Sequence, residues 1–298
     1  MGIRSLGKEN STYNDVFGET GETGLRESNT GPWIAASGGT TTTYTAPHPI
    51  FGTATYTSHT FTSSGSFQIT GTTVMTTVNR FDFLVQAGGG GTKSNPMGPP
   101  GPGGGNRECG SGAGGLVIGT DVTAAVATHP VTIGGGGSGA NGSDSSLAYS
   151  GAPQEAVGGG AGGAGDPAPT NAGNPGGSGG GGWYTTGQPN KGNGTQADTP
   201  LGTGYGNDGS PGQGSPEYGG AGGGSGGAGG FGTVIGPGTV NTYRYGGSTP
   251  QTYGAGGQAS DYASTNRQAA GAANSGNGSS AIAAGGSGIV VVRYVSGG

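Results

Sequence analysis

The chain has a single cysteine, Cys109, so no disulfide can form within it. Charge is equally scarce. Asp, Glu, Lys and Arg make up 8 % of the residues, where an ordinary soluble domain has about 25 %. Disordered chains usually stay soluble through charge or proline, so this deficit argues against a plain flexible linker. The formal net charge is −5 and the sequence pI about 5.0, which leaves no basic footprint for nucleic acid. No apolar run of the ~18 residues needed to span a bilayer is present, so membrane insertion is not expected. The opening Met1-Gly2-Ile3-Arg4-Ser5-Leu6 has no apolar signal segment, and Leu6 breaks the myristoylation pattern. Synthesis in a cytoplasm is therefore expected. His48, His59 and His129 lack zinc-ligand spacing with Cys109, so no metal is expected, and no cofactor either. Apolar residues reach only 29 %, too little to build a conventional core over the whole length.

What the chain has instead is glycine: 79 of 298 residues, against an average near 7 %. Each costs about 0.5–1 kcal/mol relative to alanine in regular structure. Such a composition suits either a floppy linker or a packing arrangement that only glycine fits. The runs at 158–165, 176–182 and 219–230 contain only Gly, Ala and Ser. Collagen is excluded, because glycine does not recur strictly at every third position. An extended helix with three residues per turn leaves its amides and carbonyls pointing outward. Several such helices side by side can satisfy one another, provided no larger side chain separates them. Packed helices are the expected arrangement, with larger residues at the bundle surface and turns.

Strand signals bracket these runs. Phe67/Ile69 and Phe81/Phe83/Val85 alternate with period two. Leu116-Val117-Ile118 and Val131-Thr132-Ile133 are short β-prone pieces, and Ile289–Val295 is the most β-prone stretch. Ser64-Gly65-Ser66 reads as a hairpin turn. The expected organisation is an N-terminal attachment arm and linker over 1–52, a β-sandwich body over 53–133 plus 285–298, and a glycine-rich bundle with aromatic loops over 134–284. Little or no α-helix is expected.

The order of these motifs carries a resemblance. The segment 59–69 (His-Thr-Phe-Thr-Ser-Ser-Gly-Ser-Phe-Gln-Ile) is followed by Phe83-Leu84-Val85-Gln86-Ala87 running into Gly88–Gly91. Val131-Thr132-Ile133 then runs into Gly134–Gly137, and the series closes with Gly288-Ile289-Val290-Val291-Val292-Arg293-Tyr294. Over roughly 55–295 this resembles the glycine-rich domain of phage virion and tail-fibre proteins, many of them from marine and cyanobacterial phages. The glycine-rich ectodomain region of anaplastic lymphoma kinase is similar in arrangement. The resemblance implies a mainly β fold: a small jelly-roll or TNF-like β-sandwich carrying an inserted polyglycine-II helix bundle. It implies a virion structural protein, a fibre or appendage component assembled in the host cytoplasm. Its partners would be other virion proteins, reached through the N-terminal arm, where Tyr13, Val16 and Phe17 are the attachment candidates. A homotrimer is expected, because so thin a core gains from shared packing.

Catalytic chemistry is not in view. Gly222-x-Gly224-x-x-Gly227 satisfies a dinucleotide-loop pattern only by glycine abundance, with no strand–helix unit around it. The carboxylates from Asp144 to Glu217 are scattered through turn-rich stretches, so no acid–base pair can be nominated and no enzyme is expected. The aromatics are the only recognition candidates: Trp183, Tyr184, Tyr205, Tyr218, Tyr243, Tyr245 and Tyr253. Their rings could stack on a glycan or contact a host surface protein, which makes a receptor-binding adhesin the alternative function. The structural reading of the same rings is that they cap bundle ends or pack against a neighbour.

Overall fold

A computed structural model describes residues 33–72, 78–93, 108–149, 151–165, 171–183, 190–214, 217–247, 249–259, 269–280 and 283–297. They contain no helix. The strands in chain order are β1 (Ala35–Ser37), β2 (Thr40–His48), β3 (Gly52–Phe61), β4 (Gly65–Gly71), β5 (Arg80–Gln86), β6 (Leu116–Thr123), β7 (Ala127–Thr132), β8 (Ser145–Tyr149), β9 (Ala152–Ala156), β10 (Thr203–Tyr205), β11 (Gln213–Gly214), β12 (Glu217–Tyr218), β13 (Thr239–Asn241), β14 (Gln251–Tyr253) and β15 (Ile289–Gly297).

Two antiparallel sheets form the body. One is ordered β1-β4-β7-β8-β9 and the other β10-β6-β5-β15-β3-β2. Phe67 and Ile69 of β4, Val131 of β7 and Leu147 of β8 meet Phe81, Phe83 and Val85 of β5 and Val290, Val292 and Tyr294 of β15 in one buried cluster. This is the inner layer of a sandwich, built from the alternating residues of both sheets. The C-terminal strand β15 lies between β5 and β3, so the far end of the chain closes the middle of the larger sheet.

Two boundaries differ from the sequence reading. The segment expected as a linker supplies β1 and β2, because its threonine run is extended and pairs with β3 along its whole length. Residues 145–156 and 203–205, assigned above to the glycine-rich part, supply β8, β9 and β10. The Ser64-Gly65-Ser66 segment is not a hairpin turn: β3 and β4 belong to different sheets. The chain crosses there because Phe61 and Phe67 both turn into the shared core.

The glycine runs lie against one another with a regular hydrogen-bond pattern. Gly110 and Ala113 donate to Gly220 and Gly223, Ser111 and Gly114 to Ser279 and Gly276, and Gly112 and Gly115 to Gly160 and Val157, all at 2.8 to 3.1 Å. Within 110–115, residues three apart thus donate to the same neighbouring run, and the run donates to three neighbours. Gly88 and Gly91 repeat this toward Ser143 and Ala140, as do Gly179 and Gly182 toward Asn207 and Ser210. The network takes in residues 87–93 and 108–115 as well as the later runs.

Left-handed backbone is not why glycine is needed here. None of the glycines at 110–115 or 176–182 has positive φ. Space is the reason. A Cβ on Gly112 would overlap the carbonyls of Ser178 and Gly179, and one on Gly110 would overlap that of Gly257. Cys109 sits in the same layer, fully buried, its amide donating to Gly163 O at 3.0 Å, and burial pushes its thiol far above the usual range.

Candidate functional site

From Ile289 to Val295, strand β15 is apolar on both faces apart from one position. Val290, Val292 and Tyr294 face the sandwich, while Ile289 and Val291 join Leu84, Leu116, Tyr243 and Tyr253 in a second buried cluster on the outer side. That outer side is covered by the β13–β14 pair and the turn between them. Tyr44 Oη donates to Tyr243 O at 2.9 Å, and Ser58 Oγ donates to Arg244 O at 3.0 Å. Gly246, at φ +79°, lies flat on the Tyr44 ring, where any Cβ would strike it.

Arg293 occupies the polar exception. Its cross-strand partner on β5 is Asp82. The guanidinium Nε and Nη2 both reach Asp82 Oδ2 at 2.9 Å. Its carbon lies 3.9 Å from the centre of the Tyr243 ring and 5.0 Å from that of Tyr56. The planar fork suits both the carboxylate and the rings, which a lysine could not reproduce. The two side chains are 17 % and 22 % exposed, so the pair is largely but not wholly removed from water.

Beside it the ladder between β5 and β6 slips. Phe81 faces Val122 and Phe83 faces Gly119, so Thr120 and Asp121 together oppose Asp82. This is a β-bulge, a device that re-aims a side chain at a sheet surface. Asp121 takes φ +57°, a left-handed conformation that costs a non-glycine residue free energy. It is held there by its amide donating to Asp82 Oδ1 at 3.0 Å and by Arg80 Nη1 donating to its carbonyl at 2.8 Å. A cleft of about 200 Å³ opens between Asp82, Arg80, His48 and Tyr243. A broader groove of about 610 Å³ lies between β6 and residues 198–203. Thr120 and Asp121 line both.

The sequence-predicted aromatics have divergent fates. Tyr243 and Tyr253 are buried in the outer cluster. Tyr245 is half-buried, with the Arg244 guanidinium 4.7 Å from its ring centre. Tyr205 pairs with Leu116, so it stands on the same outer face, and it is exposed. Trp183 is buried at the end of a glycine run, its amide donating to Asn171 O at 2.7 Å. Tyr218 is half-buried in β12. Tyr184, Tyr13, Val16 and Phe17 lie outside the described residues. Asp82, Arg293 and Asp121 were not anticipated. The available signal was a lone carboxylate in Phe81-Asp82-Phe83 and a lone cation in Val292-Arg293-Tyr294, opposite charges at polar slots of apolar strands.

Among the described residues no cluster of three His, Cys, Asp or Glu could hold a metal, and no helix is long and apolar enough to cross a membrane. No protein-family model matches the chain, and no curated protein matches it.

The histidines make stability pH-dependent. His59 is buried, with Nδ1 2.7 Å from Gly38 O and Nε2 3.1 Å from Tyr294 Oη. Burial pulls its pKa below the ordinary 6.5, and burial does the same to His129. A histidine with a depressed folded-state pKa takes up its proton on unfolding, so its stabilisation is complete above 6.5 and is lost as pH falls. The urea midpoint should therefore be flat from pH 8 to 7 and decline toward pH 5. A His59→Gln chain should show a shallower decline, and an unchanged slope would contradict this assignment.

Proposed function

We propose that the chain is a structural protein of a bacteriophage virion, a fibre or appendage component docked through its N-terminal arm, with the glycine layer projecting outward. The glycine runs are read as a polyglycine-II bundle. The observation that carries this is the hydrogen-bond period: residues three apart bond the same neighbour, as 110 and 113 do with 220 and 223, which matches a helix of three residues per turn. Such a bundle is stiff, small in side chain and chemically inert, which fits a spacer and not a catalyst. The motif order that resembles phage glycine-rich proteins supplies the virion context. The test is mass spectrometry of purified virions together with gold labelling of the C-terminus. Label at a fixed position on an appendage supports the reading, and virions lacking the chain refute it.

A host-surface adhesin is the second reading, favoured by the exposed Tyr205 and the two clefts that meet at Asp121. Trp183, Tyr243 and Tyr253 are buried, so adsorption should respond to Tyr205→Ala and Asp121→Asn. Unchanged adsorption in both would remove it.

A further inference from the structure

The two large sheets have four edges, and three of them are guarded. β1 and β10 are each three residues long. β9 is five residues and carries Pro153 and the exposed Glu155. Short strands, proline and charge are the usual devices that stop an edge from recruiting another strand. The fourth edge, β2, has none of them over most of its length. It runs nine residues, Thr40–His48, about 30 Å at ~3.3 Å per residue. Positions 40–46 read Thr-Thr-Thr-Thr-Tyr-Thr-Ala, without a charge, and its one proline, Pro47, comes next to last. Its only ladder among the described residues is with β3.

We propose that a second copy of this chain pairs with β2, edge to edge and antiparallel, continuing the six-stranded sheet across a two-fold axis. A strand that meets its own copy through one edge must do so isologously. Any charge near the axis would then face its own like. The absence of charge from 40–46 makes this edge compatible with itself. Centred on Thr43, the pairing sets Thr41 against Thr45 and Thr42 against Tyr44, the threonine and aromatic–β-branched pairs that stabilise sheets.

The packing beside the edge is incomplete in the same place. Ala54, Tyr56 and Val295 are buried, but Trp33, Tyr44, Ala46 and Phe51 around them are only partly so. Tyr44 and Ala46 belong to β2 itself, and Ile50, 59 % exposed, follows it in the turn to β3. A strand laid beyond β2 would cover this rim. The pairing stands whether or not the chain is a virion component, and it yields a two-fold unit in place of the three-fold one expected from composition.

The experiment is light scattering coupled to size exclusion on the full chain, with circular dichroism to verify folding. The wild-type chain should run as a dimer or a multiple of one. Thr43 is exposed, so Thr43→Lys should fold but place two ammonium groups across the axis and weaken association at least tenfold. Thr43→Glu alone should do the same, and an equimolar mixture of the two should restore the wild-type mass. A wild-type chain that runs as a monomer, as it would if residues 1–32 covered β2, overturns the proposal. So does a folded Thr43→Lys chain that associates as the wild type does, or a Lys–Glu mixture that fails to reassociate.

Discussion

Replacing Gly112 with alanine should destabilise the protein by about 3 kcal/mol or more, whereas replacing Gly135 with alanine should stabilise it by about 0.5–1 kcal/mol. Both are ordinary glycines with no positive φ. They differ in what surrounds the missing side chain. Gly112 is buried, its amide donates to Gly160 O at 2.8 Å, and its carbonyl accepts from Gly90 at 2.9 Å. A methyl there must push the 178–179 backbone away, since the atoms it meets are main chain and cannot rotate aside. That displacement also strains the bonds from Ser178 to Ala113 and from Gly160 to Ser178, both 2.9 to 3.0 Å. Gly135 is exposed, with nothing within 4 Å of the added carbon, so alanine only reduces the freedom of the unfolded chain. Urea denaturation of the two variants checks this directly. Equal effects of the two would mean that the glycines are interchangeable filler.

Truncating Arg293 should cost about 2–3 kcal/mol, somewhat less than breaking a fully buried pair, because Asp82 and Arg293 keep some water contact. The loss has two parts. Arg293→Ala leaves Asp82 without its two guanidinium bonds and removes the plate between Tyr243 and Tyr56. Asp82→Asn removes the charge while leaving the stack. In a double-mutant cycle the two changes should couple by about 1–2 kcal/mol, since they share one interaction. Arg293→Lys should recover less than half of the loss, because the ammonium cannot span both ring and carboxylate. Additive effects, or full recovery by lysine, would show that the outer face is held by the tyrosines alone.

How much of this was legible in the sequence follows from what each signal depends on. The alternation of Phe67/Ile69 and Phe81/Phe83/Val85 is local, and those residues do line the sandwich. The strand Ile289–Val295 was equally plain, though its position between β5 and β3 is a matter of topology. The threonines of 40–45 fit strand and loop alike, and only pairing with β3 makes them a strand. Tyr243 and Tyr253 stand in turn-rich sequence that looks solvent-facing. They are buried because the outer side of β5 and β15 is itself apolar and needs a cover, which no local pattern reveals. The bulge at Thr120-Asp121 depends on the register between β5 and β6, so Asp121 gave no sign of its strained backbone. The glycine runs were readable as packing through their low charge and their restriction to Gly, Ala and Ser. The identity of each run's neighbours was not, because identical glycines carry no addressing information.

The glycine layer is a solid held by main-chain bonds between distant runs. Native-state hydrogen exchange at the amides of 110–115 and 177–182 tests it most directly. These groups donate to carbonyls in other runs, so they should exchange only through global unfolding, as slowly as the amides of β5 and β15. Exchange at the rate of an unstructured glycine peptide, with β5 and β15 still protected, would contradict it.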